Sequence, residues 1–108
     1  WLKALQEGWV LVVDELNTSL HPKLVELLLH QFHSGLTNKS NSQLIFTTHE
    51  TSVLNQSVFR RDQIWFCEKN SRSATEFFPL SEFSPKKRDD LESNYLLGRY
   101  GAVPFIQY

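Results

Sequence analysis

Two short apolar runs, each stopping abruptly at polar residues able to do chemistry, constrain this chain more than any other feature. Trp9 to Val13 ("WVLVV") stops at Asp14 and Glu15, and Gln43 to Thr47 ("QLIFT") leads into Thr48, His49 and Glu50. Short, continuous apolar runs of this kind, the first rich in Val, are the pattern of strands covered on both faces in a parallel sheet. Parallel neighbours need a crossover, and the interval contains one. Pro22 suits the first position of a helix, and Leu24, Leu27, Leu28 and Phe32 recur at spacings of three and four before Ser34-Gly35 ends the pattern. The reading is a right-handed βαβ unit, in which ligands bind beyond the carboxyl ends of the strands. Asp14, Glu15 and His49 are thereby predicted to meet at one edge of the sheet.

The flanking segments are simpler. Leu2 to Glu7 reads as a helix closed by Gly8, "NTS" (Asn17 to Ser19) as a loop, and "TNKSNS" (Thr37 to Ser42) as a polar connection without a packing signal. A short helix is predicted over Thr51 to Gln56. Gln63 to Lys69 and Thr75 to Leu80 read as a peripheral hairpin around "NSRS", with Pro79 marking an edge strand because it cannot donate to a ladder. Cys67 is expected to be a small core residue of that hairpin. "SPKKRDD" reads as a charged loop, Leu91 to Leu97 as a short helix, and the rest as a tail anchored by Tyr95, Tyr100 and Phe105.

A net charge of −1 gives no general electrostatic reason to expect a nucleic acid or a membrane as partner. Lys86, Lys87 and Arg88, with Arg60, Arg61 and Arg72, are the basic residues available for a local patch, and Asp89-Asp90 neutralise the first cluster. No run approaches the roughly 20 apolar residues that span a bilayer. A single cysteine suits a reducing compartment, so the expected location is the cytoplasm. The chain contains no Met, and Trp1 is not the residue expected at a natural start, so the chain is expected to be a piece of a longer protein.

Two ionised carboxylates at the end of a buried strand repel one another and lose hydration, so the pair calls for a cation or hydrogen-bond donors. Hard oxygen ligands suit Mg²⁺, which keeps most of its waters and takes one or two carboxylates plus substrate phosphates. Alternation at the strand end lets one carboxylate meet the metal while the other faces an attacking water. For the pair taken alone, a polar loop start capping the next helix is the favoured reading. His49 leaves the same edge, where an imidazole can hydrogen-bond a phosphate oxygen or the water. His30 and His33, three apart on the helix, lack a nearby third ligand and read as a solvated face.

Taken together, the motifs resemble a family. "VLVVDE" resembles the Walker B strand of ABC-type ATPases, "NTSLHP" the D-loop of the SMC/RecF-like branch and of related bacterial AAA/OLD-like ATP-binding proteins, and "IFTTHE" their switch-histidine segment. Order and separation match from Val10 to about Glu50. "YLLGRYGAVPFI" is similar to the C-terminal tails of bacterial AAA-type ATP-binding proteins from phage-defence loci. The resemblance implies an α/β fold, with residues 1–108 as the C-terminal part of an ABC-type P-loop NTPase head, built of parallel strands, flanking helices and a peripheral hairpin. It implies ATP and Mg²⁺ as ligands, Asp14 holding Mg²⁺ through its water shell, Glu15 polarising the attacking water and His49 contacting the γ-phosphate. Ser19 and His21 of the D-loop would serve the nucleotide and cross to a second ATPase head in a homodimer. Nucleic acid or an effector nuclease would be met through other parts of the protein, and no membrane is implied.

The family also needs a Walker A loop, GxxxxGK[ST], and a signature motif immediately before Walker B; neither occurs in this sequence, and "WLKALQEG" would be the signature helix's tail. The chain by itself is therefore expected to be inactive. Two rivals belong to other classes: a non-catalytic interaction module of ATPase-like descent, and a metal-dependent nuclease, which ordinarily requires further carboxylates.

Overall fold

Strand β1 (Val10–Val13) and strand β2 (Gln43–Phe46) lie side by side in parallel, with Val10 opposite Gln43 and Val13 opposite Phe46. The computed structural model describes residues 1–55, 58–86 and 89–102, and the chain divides into two compact units, Trp1–Thr51 and Ser52–Tyr108. The first unit holds this parallel pair and its crossover. Helix α1 (Leu2–Glu7) ends at Gly8, whose φ of 73° is left-handed and whose N–H reaches back to the Ala4 carbonyl. Only glycine fits there without strain, because a Cβ would also lie 2.8 Å from the Ser40 carbonyl oxygen.

Several expectations need correction. The strands are not covered on both faces: Val10, Val12 and Ile45 are exposed, whereas Leu11, Val13, Leu44 and Phe46 are half-buried. Continuous hydrophobicity records that both faces are apolar; it does not supply what covers the second. "NTS" is not a loop, since Leu16–Ser19 forms a one-turn helix, α2, with Leu16 buried. The crossover helix α3 (Pro22–His33) begins where expected, but its buried stripe is Val25, Leu28 and Leu29, while Leu24 and Leu27 are exposed. Two stripes about one position apart were compatible with the spacings, and the one containing β-branched Val25 faces inward.

The polar connection from Thr37 to Ser42 does pack. The Asn38 amide donates to the Phe32 carbonyl (2.7 Å) and the Ser42 carbonyl (2.8 Å), and its oxygen accepts from the Ser42 N–H (2.8 Å). Ser42, buried, donates its hydroxyl to the carbonyls of Ala4 (2.6 Å) and Leu5 (3.2 Å). The end of α1 is thus tied to the segment that leads into β2, and polar residues do this because a helix terminus leaves carbonyls without intrahelical partners.

The second unit is organised on an antiparallel hairpin, β3 (Trp65–Lys69) and β4 (Thr75–Pro79), with Phe66 opposite Phe78. Its core is Phe66, Leu80, Leu91 and Tyr100, with Leu54, Ile64, Phe78, Tyr95 and Ala102 packed against it. Phe66 stacks on Tyr95 and Tyr100 at 5.5 and 5.7 Å, so two of the expected tail anchors do hold the tail; Phe105 lies outside the described residues. Cys67 is exposed rather than a core residue, because period-two alternation turns it away from the face that Phe66 buries. Leu80 leaves the strand and starts a 3₁₀ turn (Leu80–Phe83), and helix α4 spans Leu91–Leu96. The short helix after β2 is a 3₁₀ turn over Thr51–Asn55, Gln56 lying outside the described residues. Among the described residues no helix is long and apolar enough to cross a membrane.

Candidate active site

The two strand ends converge as their sequence pattern demands. Beyond β1 the ladder continues for one bond, from the Thr47 N–H to the Val13 carbonyl (3.1 Å), and the Thr47 carbonyl then accepts the Leu16 N–H (3.0 Å). Asp14 and Glu15 therefore lie in a sharp turn between β1 and α2, pinned on both sides to Thr47. Glu15 is the residue that makes the turn. Its backbone is left-handed, φ 52° and ψ 57°, an unfavourable conformation for a residue with a Cβ, and it forms the N-cap of α2. Its carbonyl accepts from the Thr18 N–H (3.0 Å) and hydroxyl (2.8 Å).

The Thr47 hydroxyl sits at the centre of this turn, accepting the Glu15 N–H at 2.8 Å and donating to Asp14 Oδ1. Thr48 reaches the other way, donating to Asn17 Oδ1 (2.8 Å) and accepting the Glu50 N–H (3.0 Å). The segment carrying His49 is thereby tied to the turn carrying Glu15, and His49 Nε2 lies 3.6 Å from Glu15 Oε1. Both side chains are largely in solvent, 83% and 51% exposed, so this contact, an ion pair only when the imidazole is protonated, adds little stability. Its value is positional: a carboxylate and an imidazole face the same small volume of solvent at the strand ends.

The D-loop candidates divide. His21 caps α3, its Nδ1 accepting the Lys23 N–H at 3.1 Å, and Pro22 follows at the first helical position. Ser19 closes α2, and its side chain lies outside the described residues. Thr47, Thr48 and Asn17 were not singled out in the sequence, although two hydroxyls between a strand end and His49 are themselves a signal of side chains available to fasten a turn. His30 and His33 are exposed on α3. Of the basic residues, Arg60 pairs with Asp62 at 3.1 Å, a hydrogen bond that raises the guanidinium and lowers the carboxyl from their ordinary values; Arg61 reaches the Lys86 carbonyl (3.4 Å). Lys87 and Arg88 lie outside the described residues.

The donor set discriminates among cations. No group of three or more His, Cys, Asp or Glu side chains able to hold a metal occurs among the described residues. An all-protein cage or a carboxylate-rich two-metal centre does not fit this set, but Mg²⁺ carried largely by water and phosphate oxygens does, since it needs one or two carboxylates. Asp14 has Oδ1 engaged by Thr47 and offers Oδ2.

Comparison with known proteins locates the same segment. No curated protein and no solved structure matches the chain. A family model described as AAA domain, putative AbiEii toxin, Type IV TA system matches residues 2–55, half of the 108 residues. The match takes in both parallel strands, the Asp14-Glu15 turn and His49, and it leaves the β3–β4 hairpin outside. AAA domains are of P-loop ATPase type and generally bind ATP with Mg²⁺, which agrees with the oxygen donors at the strand ends. With half its length matched, including the converging strand ends, the chain belongs to this AAA domain family.

Proposed function

We propose that the chain supplies the hydrolytic half of the ATP site of an SMC/RecF-like, ABC-type ATPase head acting in bacterial phage defence or a DNA-related process. The observation that carries this reading is the juxtaposition of Glu15 and His49 at 3.6 Å, from beyond the ends of two neighbouring parallel strands, with Asp14 next to Glu15 in the chain. Phosphoryl transfer is accelerated mainly by positioning and by stabilising charge on the transferring group. Mg²⁺, when bound, neutralises charge on the phosphate oxygens. Asp14 would hold that ion through its water shell. Glu15, exposed and beside the imidazole, accepts a proton from the attacking water, while His49 donates a hydrogen bond to a γ-phosphate oxygen. Ser19 and His21 lie along the D-loop, which we assign to the contact with a second head in a homodimer.

The phosphate-cradling loop is supplied by residues other than these, since GxxxxGK[ST] does not occur in the sequence. The open apolar face of β1 and β2, with Val10, Val12 and Ile45, supports a missing structural neighbour of this kind. The test is phosphate release measured beside plasmid cleavage on the ATPase that contains this segment together with its phosphate-binding loop. Mg²⁺-dependent phosphate release with intact plasmid is expected, and none from the 108-residue chain alone. Cleaved plasmid without phosphate release would replace the ATPase reading with a nuclease, and neither activity would leave an interaction module.

A further inference from the structure

One hydroxyl joins both carboxylate-bearing residues of the β1 turn. A threonine hydroxyl has one proton to donate and two lone pairs. At Thr47 the direction of each bond is unambiguous: the Glu15 N–H can only donate, so Oγ1 accepts it at 2.8 Å, and the hydroxyl proton goes to Asp14 Oδ1. The backbone of Thr47 is held independently, its N–H on the Val13 carbonyl and its carbonyl on the Leu16 N–H. The hydroxyl is therefore presented from a fixed point to two groups that would otherwise be free to move: an exposed carboxylate and the amide of a left-handed residue.

We propose that Thr47 is a positioning residue for the metal-facing end of this site. Its hydroxyl fixes the Asp14 carboxylate and the Glu15 turn together, leaving Asp14 to present one oxygen rather than two. A single-oxygen ligand matches Mg²⁺ or Mn²⁺, which retain waters in an octahedral shell, better than Ca²⁺, which is commonly clasped by both oxygens of a carboxylate. The inference rests on the ATPase reading for its purpose, but the clasp itself is a property of this chain. Valine has the shape and β-branching of threonine and suits the same strand end, so the side chain's bulk and its hydroxyl are separable.

The experiment is NMR on the 108-residue chain with Thr47→Val and Thr47→Ser, reading amide exchange at Glu15 and paramagnetic broadening at Asp14 by Mn²⁺ alone, with exposed Glu26 on α3 as the reference carboxylate. Thr47→Val is expected to speed Glu15 exchange about tenfold, as for loss of one hydrogen bond, and to erase the excess broadening at Asp14 over Glu26. Thr47→Ser is expected to restore both. Wild-type behaviour in Thr47→Val, or a Thr47→Ser that behaves like Thr47→Val, overturns the proposal. Should Thr47→Val fold poorly, Thr47→Ala carries the same comparison. If wild-type Asp14 shows no excess broadening while the exchange contrast persists, the metal reading of the site fails and the clasp stands.

Discussion

Glu15 occupies a backbone conformation that disfavours any side chain, yet the turn places it there rather than a glycine. Left-handed geometry costs a residue with a Cβ roughly 1–2 kcal/mol, and non-glycine strain of this kind persists where the surroundings over-determine it. Here the surroundings are the Thr47 hydroxyl, the Leu16 N–H on the Thr47 carbonyl, and the Thr18 contacts to the Glu15 carbonyl. The expected consequence is a trade between stability and chemistry: Glu15→Gly should be more stable than Glu15→Ala by about 1 kcal/mol in urea unfolding, neither retaining a carboxylate. Equal stabilities would show that the turn relaxes when Glu15 is replaced. A second residue-scale expectation concerns Asp90, the N-cap of α4. The Ser93 N–H, then the Asn55 amide, hold its carboxyl below the ordinary aspartate range. A depressed carboxyl contributes stability above its unfolded pKa and loses it as pH falls through the folded value. The Ser93 amide resonance should therefore titrate below the usual aspartate midpoint, and in Asp90→Asn, which keeps an accepting oxygen, that titration should vanish.

Among the elements, α3 was legible in the sequence from apolar residues three and four apart, and β1 and β2 from short, continuous apolar runs that stop at polar residues. What was not legible was the orientation of α3 to within one residue: Leu24 and Val25 head overlapping apolar stripes, and tertiary packing decides between them. The connection from Thr37 to Ser42 was misread for a different reason. Polar composition signals a loop, but Asn38 and Ser42 use their polar groups on main-chain atoms of α1, α3 and their own turn, which composition cannot show. Ser42→Ala is accordingly expected to destabilise the chain by about 1 kcal/mol, near the lower end for a buried hydrogen bond. The Ala4 carbonyl keeps the Gly8 and Trp9 N–H groups as partners. Gly8→Ala should cost more than Ser42→Ala, since it adds a close approach to the Ser40 carbonyl to a left-handed φ. Thermal melting ranks the two.

On the scale of the whole molecule, two units carry different kinds of information. The Ser52–Tyr108 unit has an aromatic core in which Phe66 is the common member of three ring contacts, with Phe78, Tyr95 and Tyr100. Phe66→Ala should destabilise it by about 3–5 kcal/mol, read as loss of protection at Leu91 and Tyr100. The Trp1–Thr51 unit carries all but the last four residues of the family match, and every candidate site residue. The positions of Asp14, Glu15 and His49 could be read in advance because a βαβ unit sends both strand ends to one edge. Thr47 could not, because its role depends on which hydroxyl reaches which amide across the ladder. The most direct measurement of the proposed chemistry is single-turnover ATP hydrolysis by the ATPase carrying this segment and its phosphate-binding loop, comparing wild type with Glu15→Gln. A slowing of about 10²–10⁴-fold, the usual worth of a general base, with ATP binding retained, is the expected result. An unchanged rate would contradict the assignment of Glu15 to the attacking water.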